Sequence, residues 1–305
     1  MQVHALLAVL VLASGTGTGA DGQVGQQPPL AADDRAEQGT AKEIKRLAAW
    51  PTVKRSADLR KEIRRLRAAR VPEMVTSARA ALIDYGAAVV PYLLPLLDKE
   101  DDKQTLVQMR EILETVTGPP HTRLLAEFFS DRALEVRIWS LERCATLHDA
   151  GLRPALEKSL ARLAKLREKA DEQERLAATL CLISTGDVAA LGELCDRLDG
   201  HWKRWGGTAL RALEAVRGQA ATELLGELLH AEKRERRLLG LRLLGGCLEK
   251  TRADIVLPFL EGSDSGLRIA AINLLRQTMD GEPPLERLPV FEAIERANKW
   301  RERLK

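Results

Sequence analysis

Aromatic residues are scarce in this chain, at 4 % of 305 residues, while 30 % are charged and Leu and Ala abound. That is the composition of an all-helical soluble protein. None of the five histidines, His4, His121, His148, His201 and His230, forms an HExxH pattern or an i, i+4 pair, and no glycine-rich phosphate loop or GxSxG turn occurs. These absences remove the commonest signals of a metalloprotease, a nucleotide-phosphate site and a serine hydrolase. The four cysteines, Cys144, Cys181, Cys195 and Cys247, form no CxxC and no Cys/His pairing at metal spacing, so they read as buried packing residues. No catalytic, cofactor-binding or metal-ligating residue is assigned. A net charge of +3 is too small to name a partner.

Long apolar runs are missing too. The nine residues Ala5 to Ala13 fall short of the ~20 needed to span a membrane. Small residues follow as far as Ala20, the shape of a secretory signal, although no Lys or Arg precedes Arg35 and no cysteine follows for lipid attachment. Residues 1–20 are therefore expected to be a signal peptide that leaves no transmembrane segment once removed. Residues 21–40 are expected to form a disordered leader rich in Gly, Gln, Pro and Asp. This predicts export, periplasmic or extracellular, with a cytoplasmic protein as the alternative if the signal reading fails.

What the chain has in quantity is repetition. From Ala87 to Gly118 an apolar stretch punctuated by Pro91 and Pro95 runs into an acidic turn, Asp98 to Asp102, and then into an amphipathic helix carrying Leu106, Met109, Ile112, Leu113 and Val116. Pro258-Phe259-Leu260-Glu261 repeats Pro95-Leu96-Leu97-Asp98 at a distance of 163 residues, five steps of about 33, the period of two-helix repeats. Glycines at 86, 118, 151, 186, 218 and 281 are placed to end helices in left-handed caps. Each second helix also carries an arginine three residues before a small residue: Arg137/Ser140, Arg175/Ala178, Arg204/Gly207, Arg237/Gly240 and Arg268/Ala271. That spacing shares one helix face and reads as packing.

Val90-Pro91-Tyr92-Leu93 and Asp264-Ser265-Gly266-Leu267-Arg268-Ile269-Ala270-Ala271 resemble the two helix signatures of HEAT repeats, especially the short HEAT-like repeats of bilin lyases. The resemblance covers residues 72–281. It implies an all-α, right-handed α-α superhelix of about six helix pairs, whose second helices line an inner, concave binding face. Residues 41–71 would cap the array with basic helices and residues 282–305 with a C-terminal helix, its stripe being Val290, Ile294, Ala297, Trp300 and Leu304. Helical-repeat hydroxylases of the di-iron type are similar in architecture but carry His-Glu dipeptides, and no histidine here precedes a Glu.

Three stretches compete as binding sites. Lys54 to Arg70 holds eight basic and two acidic residues and presents Arg60, Arg64 and Arg67 opposite an apolar stripe of Leu59, Ile63 and Leu66. It suits an anionic partner, but it has no interleaved aromatic for nucleic-acid stacking. His201-Trp202-Lys203-Arg204-Trp205 sets Trp202 and Trp205 on one face with Lys203 beside them, a composition enriched at hot spots, and Trp139 occupies a comparable place earlier. Arg153 to Lys169 reads as one long charged helix projecting from the body. The leading reading is an exported scaffold that binds another macromolecule, a protein before a nucleic acid, on the inner face. The alternatives are a lyase-type repeat enzyme and a nucleic-acid binder using residues 54–70.

Overall fold

A computed structural model describes residues 49–285 and 287–304, which lie within one compact unit, Glu43–Lys305. The apolar run Ala5 to Ala13, the leader at 21–40 and the start of the expected N-terminal cap at 41–48 lie outside the described residues. Among the described residues there are fifteen α-helices and no strand.

Helices α1 (Ser56–Ala68) and α2 (Pro72–Asp84) pack together at the N-terminal end. Six pairs follow: α3 (Val90–Leu93) with α4 (Lys103–Val116), α5 (Thr122–Ala126) with α6 (Leu134–Ala145), and α7 (Arg153–Leu166) with α8 (Glu172–Ser184). Next come α9 (Leu191–Arg197) with α10 (Trp202–Leu213), α11 (Gln219–Gly226) with α12 (Arg234–Cys247), and α13 (Leu257–Glu261) with α14 (Ser265–Leu275). Helix α15 (Val290–Arg303) closes the chain against α13 and α14. This is an all-α stack of helix pairs with one apolar core running through every pair.

The two helices of a pair are built differently. The first is short in every pair but the third: α3 is one turn set between 3₁₀ segments Gly86–Val89 and Leu94–Lys99, because Pro91 and Pro95 each withdraw a backbone donor and leave tighter turns to fill in. The second is regular and often starts on an aspartate. Asp102, Asp171 and Asp264 accept from the amides of Thr105, Glu174 and Leu267 at 2.8–3.0 Å, a cap worth about 1 kcal/mol each.

The repeated arginine has a clear job in four pairs. Arg137 donates through Nη1 to the carbonyls of Asp131 and Arg132, both at 2.9 Å, and Arg237 to those of Ala231 and Glu232 at 2.8 and 2.9 Å. Arg268 and Arg175 reach the carbonyls of Gly262 and Arg167. The guanidinium thus satisfies the orphan acceptors where the first helix ends. The small residue three places on admits the neighbouring helix: a Cβ on Gly240 would stand 2.8 Å from Cβ of Leu228.

Four expectations need correction. Gly118 has an extended φ of −147° and Gly151 sits inside a 3₁₀ turn, while His148 takes the left-handed conformation at φ +52°. Helix α7 does not project along its length, since Leu156, Ser159 and Leu163 are buried, and only the stretch 164–169 is exposed at every residue. On α15 the buried stripe is Ala293, Ala297 and Trp300, whereas Val290, Phe291 and Ile294 are 62, 75 and 43 % exposed. The helix seats its alanines, which let it lie close, and its first turn overhangs the edge of the array. The fourth concerns Arg204, taken up with the site below. All four cysteines are free and buried, as the sequence reading expects, and burial pushes Cys195 up to about 11 and Cys247 up to about 12.

Candidate binding surface

Helix α10 organises the face made by the second helices. Its two tryptophans, three residues and so about 60° apart around the axis, go separate ways. Trp205 is fully buried and donates from Nε1 to Oε1 of Gln173 on α8 at 2.5 Å. Trp202 is half-buried and lies back over its own helix, where a Cβ on Gly206 would meet the ring at 2.7 Å. The expectation that both present one aromatic face to a partner is therefore wrong for Trp205. It is wrong for Trp139 as well, which is 2 % exposed and serves as a floor.

On one side of α10 the surface is closed by polar contacts. Arg204 donates to both carboxylate oxygens of Glu142 on α6, at 2.6 and 2.5 Å, and Thr208 donates to the same carboxylate at 3.3 Å. His148 Nε2 lies 2.6 Å from the Arg211 carbonyl. Helices α6 and α10 belong to the second and fourth pairs, so these bonds cross over α8, which is buried along nearly its whole length. Arg204 therefore leaves the turn-capping role of its counterparts, and Gly207 has nothing within 4 Å of its Cβ position. The register expected at Arg204/Gly207 is shifted, and the buried glycine here is Gly206.

A polar cleft of about 190 Å³ lies beside this bridge, bordered by Glu114, Trp139, Arg143 and Arg211. Arg143 is committed there. Its Nε donates to Thr117 Oγ1 at 2.9 Å and its Nη2 to the Glu114 carbonyl at 2.7 Å, capping the end of α4. Hydrogen bonding to Glu142 raises the pKa of Arg204, whereas burial lowers that of Arg143.

On the other side of α10 the surface opens. A cleft of about 270 Å³ runs between α10, α12 and α14, with Trp202, Leu238, Leu241, Ile269, Leu274 and Leu285 among its walls. Its outer wall is the segment after α14, pinned where Asn273 Nδ2 donates to the Leu285 carbonyl at 3.1 Å and the Leu285 amide donates back to Asn273 Oδ1 at 2.8 Å. Arg242 stands at this cleft with its guanidinium 5.2 Å from the Trp202 ring centre. No Asp or Glu is among the lining residues. Lys203, next to Trp202, is exposed.

The basic helix α1 is not part of this face. Arg60, Arg64 and Arg67 are exposed as expected, but Arg67 Nε donates to Glu100 at 2.5 Å and Arg60 lies 5.7 Å over the Tyr92 ring. Two of the three are thus engaged within the chain. Sequence reasoning missed Arg242, Leu238, Leu241, Asn273 and Leu285. The Pro283-Pro284 pair, which reads as a helix terminator, is also the lead into the cleft wall. Among the described residues no cluster of His, Cys, Asp or Glu is spaced to hold a metal ion, and no single helix is long and apolar enough to cross a membrane.

No family model matches the sequence, and neither does any curated protein. Solved structures do. The CpcE–CpcF complex of the phycocyanin lyase of Nostoc sp. PCC7120 is 17 % identical, with a TM-score of 0.42 over 84 % of this chain and 96 % of that one. An engineered protein is 16 % identical, at 0.31 over 88 % of this chain and 79 % of that one. A designed armadillo repeat protein in complex with the peptide (KR)4 is 13 % identical, at 0.27 over 80 % of this chain and 99 % of that one. The chain's own helix pairs and continuous core make it an all-α helical-repeat stack.

Proposed function

We propose that this repeat array is an exported scaffold that binds another protein through the face of its second helices, at the cleft between α10, α12 and α14. The observation that carries the reading is the cleft itself: a volume of about 270 Å³ between largely apolar walls, with a half-buried tryptophan at its edge. Exposed apolar surface rimmed by polar residues is the ordinary mark of a contact site, and a tryptophan beside an arginine is the composition of a hot spot. Export is supported by the apolar run Ala5 to Ala13 and the small residues behind it. Nucleic acid is the weaker choice because Arg67 on the basic helix already has Glu100 as its partner.

Two measurements test this. N-terminal sequencing of the full-length product recovered from the extracytoplasmic fraction is expected to begin near Asp21, and an intact Met1 in the cytoplasm overturns export. A photo-crosslinking residue at Ala270 in the native host is expected to trap a protein that the same residue at Arg64 does not. Equal trapping at both positions overturns the assignment to this face.

A further inference from the structure

The arginines of α12 differ in what they hold. Arg234 pairs with both oxygens of Asp264 at 2.5 and 3.0 Å, and Arg236 pairs with Asp196 at 2.7 Å. Arg237 caps the preceding carbonyls. Arg242 has the face of Trp202 and, among the described residues, no carboxylate or carbonyl in hydrogen-bond reach. It is half-buried, and burial, with a lesser contribution from Arg234, lowers its pKa. A desolvated guanidinium at the edge of a cleft with no acid in its walls is a cation whose counter-charge is missing. Arg242 is the only Lys or Arg among the cleft's lining residues.

The chemistry that fits is a carboxylate beside an apolar group. A guanidinium forms two parallel bonds to a carboxylate, and the pairing gains from the low local dielectric. The source is narrowed by three features. At about 270 Å³ the cleft lies just below the ~300–1,000 Å³ of sites that enclose a small molecule, so it suits one or two side chains of a larger partner. A phosphate backbone needs several cations in a row, where the lining of this cleft holds one, Arg242. A terminal carboxylate is captured by free backbone amides, and of the cleft residues on α12 and α14 only Gly266 lies in a first turn, where its amide is already taken by the Asp264 carboxylate.

We propose that the cleft takes an acidic segment of the partner protein, with an aliphatic or aromatic side chain entering among Trp202, Leu238, Ile269 and Leu285 and an adjacent Asp or Glu side chain pairing with Arg242. This rests on the reading of the cleft as the protein-binding site. It gives that site a sign: the partner segment is anionic, and one apolar residue anchors it.

The test is selection of a phage-displayed random peptide library on the full-length protein, followed by affinity measurement with synthetic peptides. The wild-type protein is expected to enrich sequences that place Asp or Glu next to a large apolar residue. Such a peptide should lose about tenfold or more in affinity on Arg242→Gln, the scale of one charge-assisted hydrogen bond. Its counterpart with lysine in place of the acid should bind Arg242→Glu better than the original does. Ala270→Trp, which fills the cleft, should abolish both, with unchanged helicity by circular dichroism as control and Ile269→Lys as the substitute if it misfolds. If nothing is enriched, or if peptides bind the filled variant as well as wild type, the cleft is not the binding site and both readings fall. If the filled variant loses binding but acid, amide and lysine peptides bind alike and ignore Arg242, the acidic-segment proposal alone is overturned.

Discussion

The two sides of α10 offer the same kinds of residue and put them to opposite use. On the α6 side an arginine lies over a tryptophan, Arg204 at 4.5 Å from the Trp205 ring centre, and Glu142 supplies its counter-charge. On the α12 side Arg242 lies over Trp202 at 5.2 Å, and no acid follows. One pair is tied to α6 by an ion bridge and the other is left facing a cleft. The difference lies in the third residue, since an arginine–tryptophan stack is structural where a carboxylate completes it and available where none does.

The comparison breaks most readily at the tryptophans. Trp205→Ala removes a fully buried ring and is expected to cost about 3–5 kcal/mol, read as a lowered melting temperature. Trp202→Ala is expected to lower the melting temperature far less. Equal losses would mean that the two rings are buried to the same purpose. Next in size is Gly206→Ala. Its methyl group would stand 2.7 Å from the Trp202 ring, so the ring must swing toward the cleft, at a cost of roughly 1–3 kcal/mol. A crystal structure of the variant with the ring unmoved would contradict this.

A smaller effect is expected from Glu142→Ala. The Arg204 side chain is 44 % exposed, so solvent screening holds the loss to about 1 kcal/mol or less. The sharper readout is hydrogen exchange, which should quicken in α8 and α10 and stay unchanged in α14. The smallest effect is on pH dependence. Asp264, bonded to Arg234, has its pKa lowered to about 2. Because the folded value lies below that of the unfolded chain, near 4, the pair's stabilisation is present in full above that value. It is lost as the pH falls through about 2. Carboxyl-carbon NMR should show Asp264 titrating near an ordinary aspartate value in Arg234→Gln, while the Asp280 carboxylate, paired with Arg303, stays where it was.

The repeats were legible because their signals are local. Asp102 and Asp264 cap the helices they precede, Pro91 and Pro95 break the one they sit in, and the 33-residue spacing counts the pairs. The site was only half legible, because azimuth on a helix is readable from spacing and the identity of the neighbouring helix is not. Trp202 and Trp205 look equivalent at i and i+3, yet α8 lies against one and α12 against the other. Arg204 fits the arginine pattern of its neighbours until Glu142, 62 residues earlier, turns out to face it. On α15 the choice between Val290 and Ala293 as the start of the buried stripe depended on how closely α13 and α14 approach, which sequence periodicity does not carry.

The bonds from α6 to α10 across α8 have a consequence for how the array comes apart. A stack whose units touch only their neighbours behaves as a one-dimensional chain of additive steps and can fray from either end one unit at a time. Here the second and fourth pairs are bonded to each other through Glu142, Arg204 and the His148 contact, so the third cannot open while both stay in place. Pairs two to four therefore form one cooperative block inside an otherwise divisible stack. Melting from the C-terminal end should advance through α14 and α12, the helices that wall the open cleft, and halt at α10.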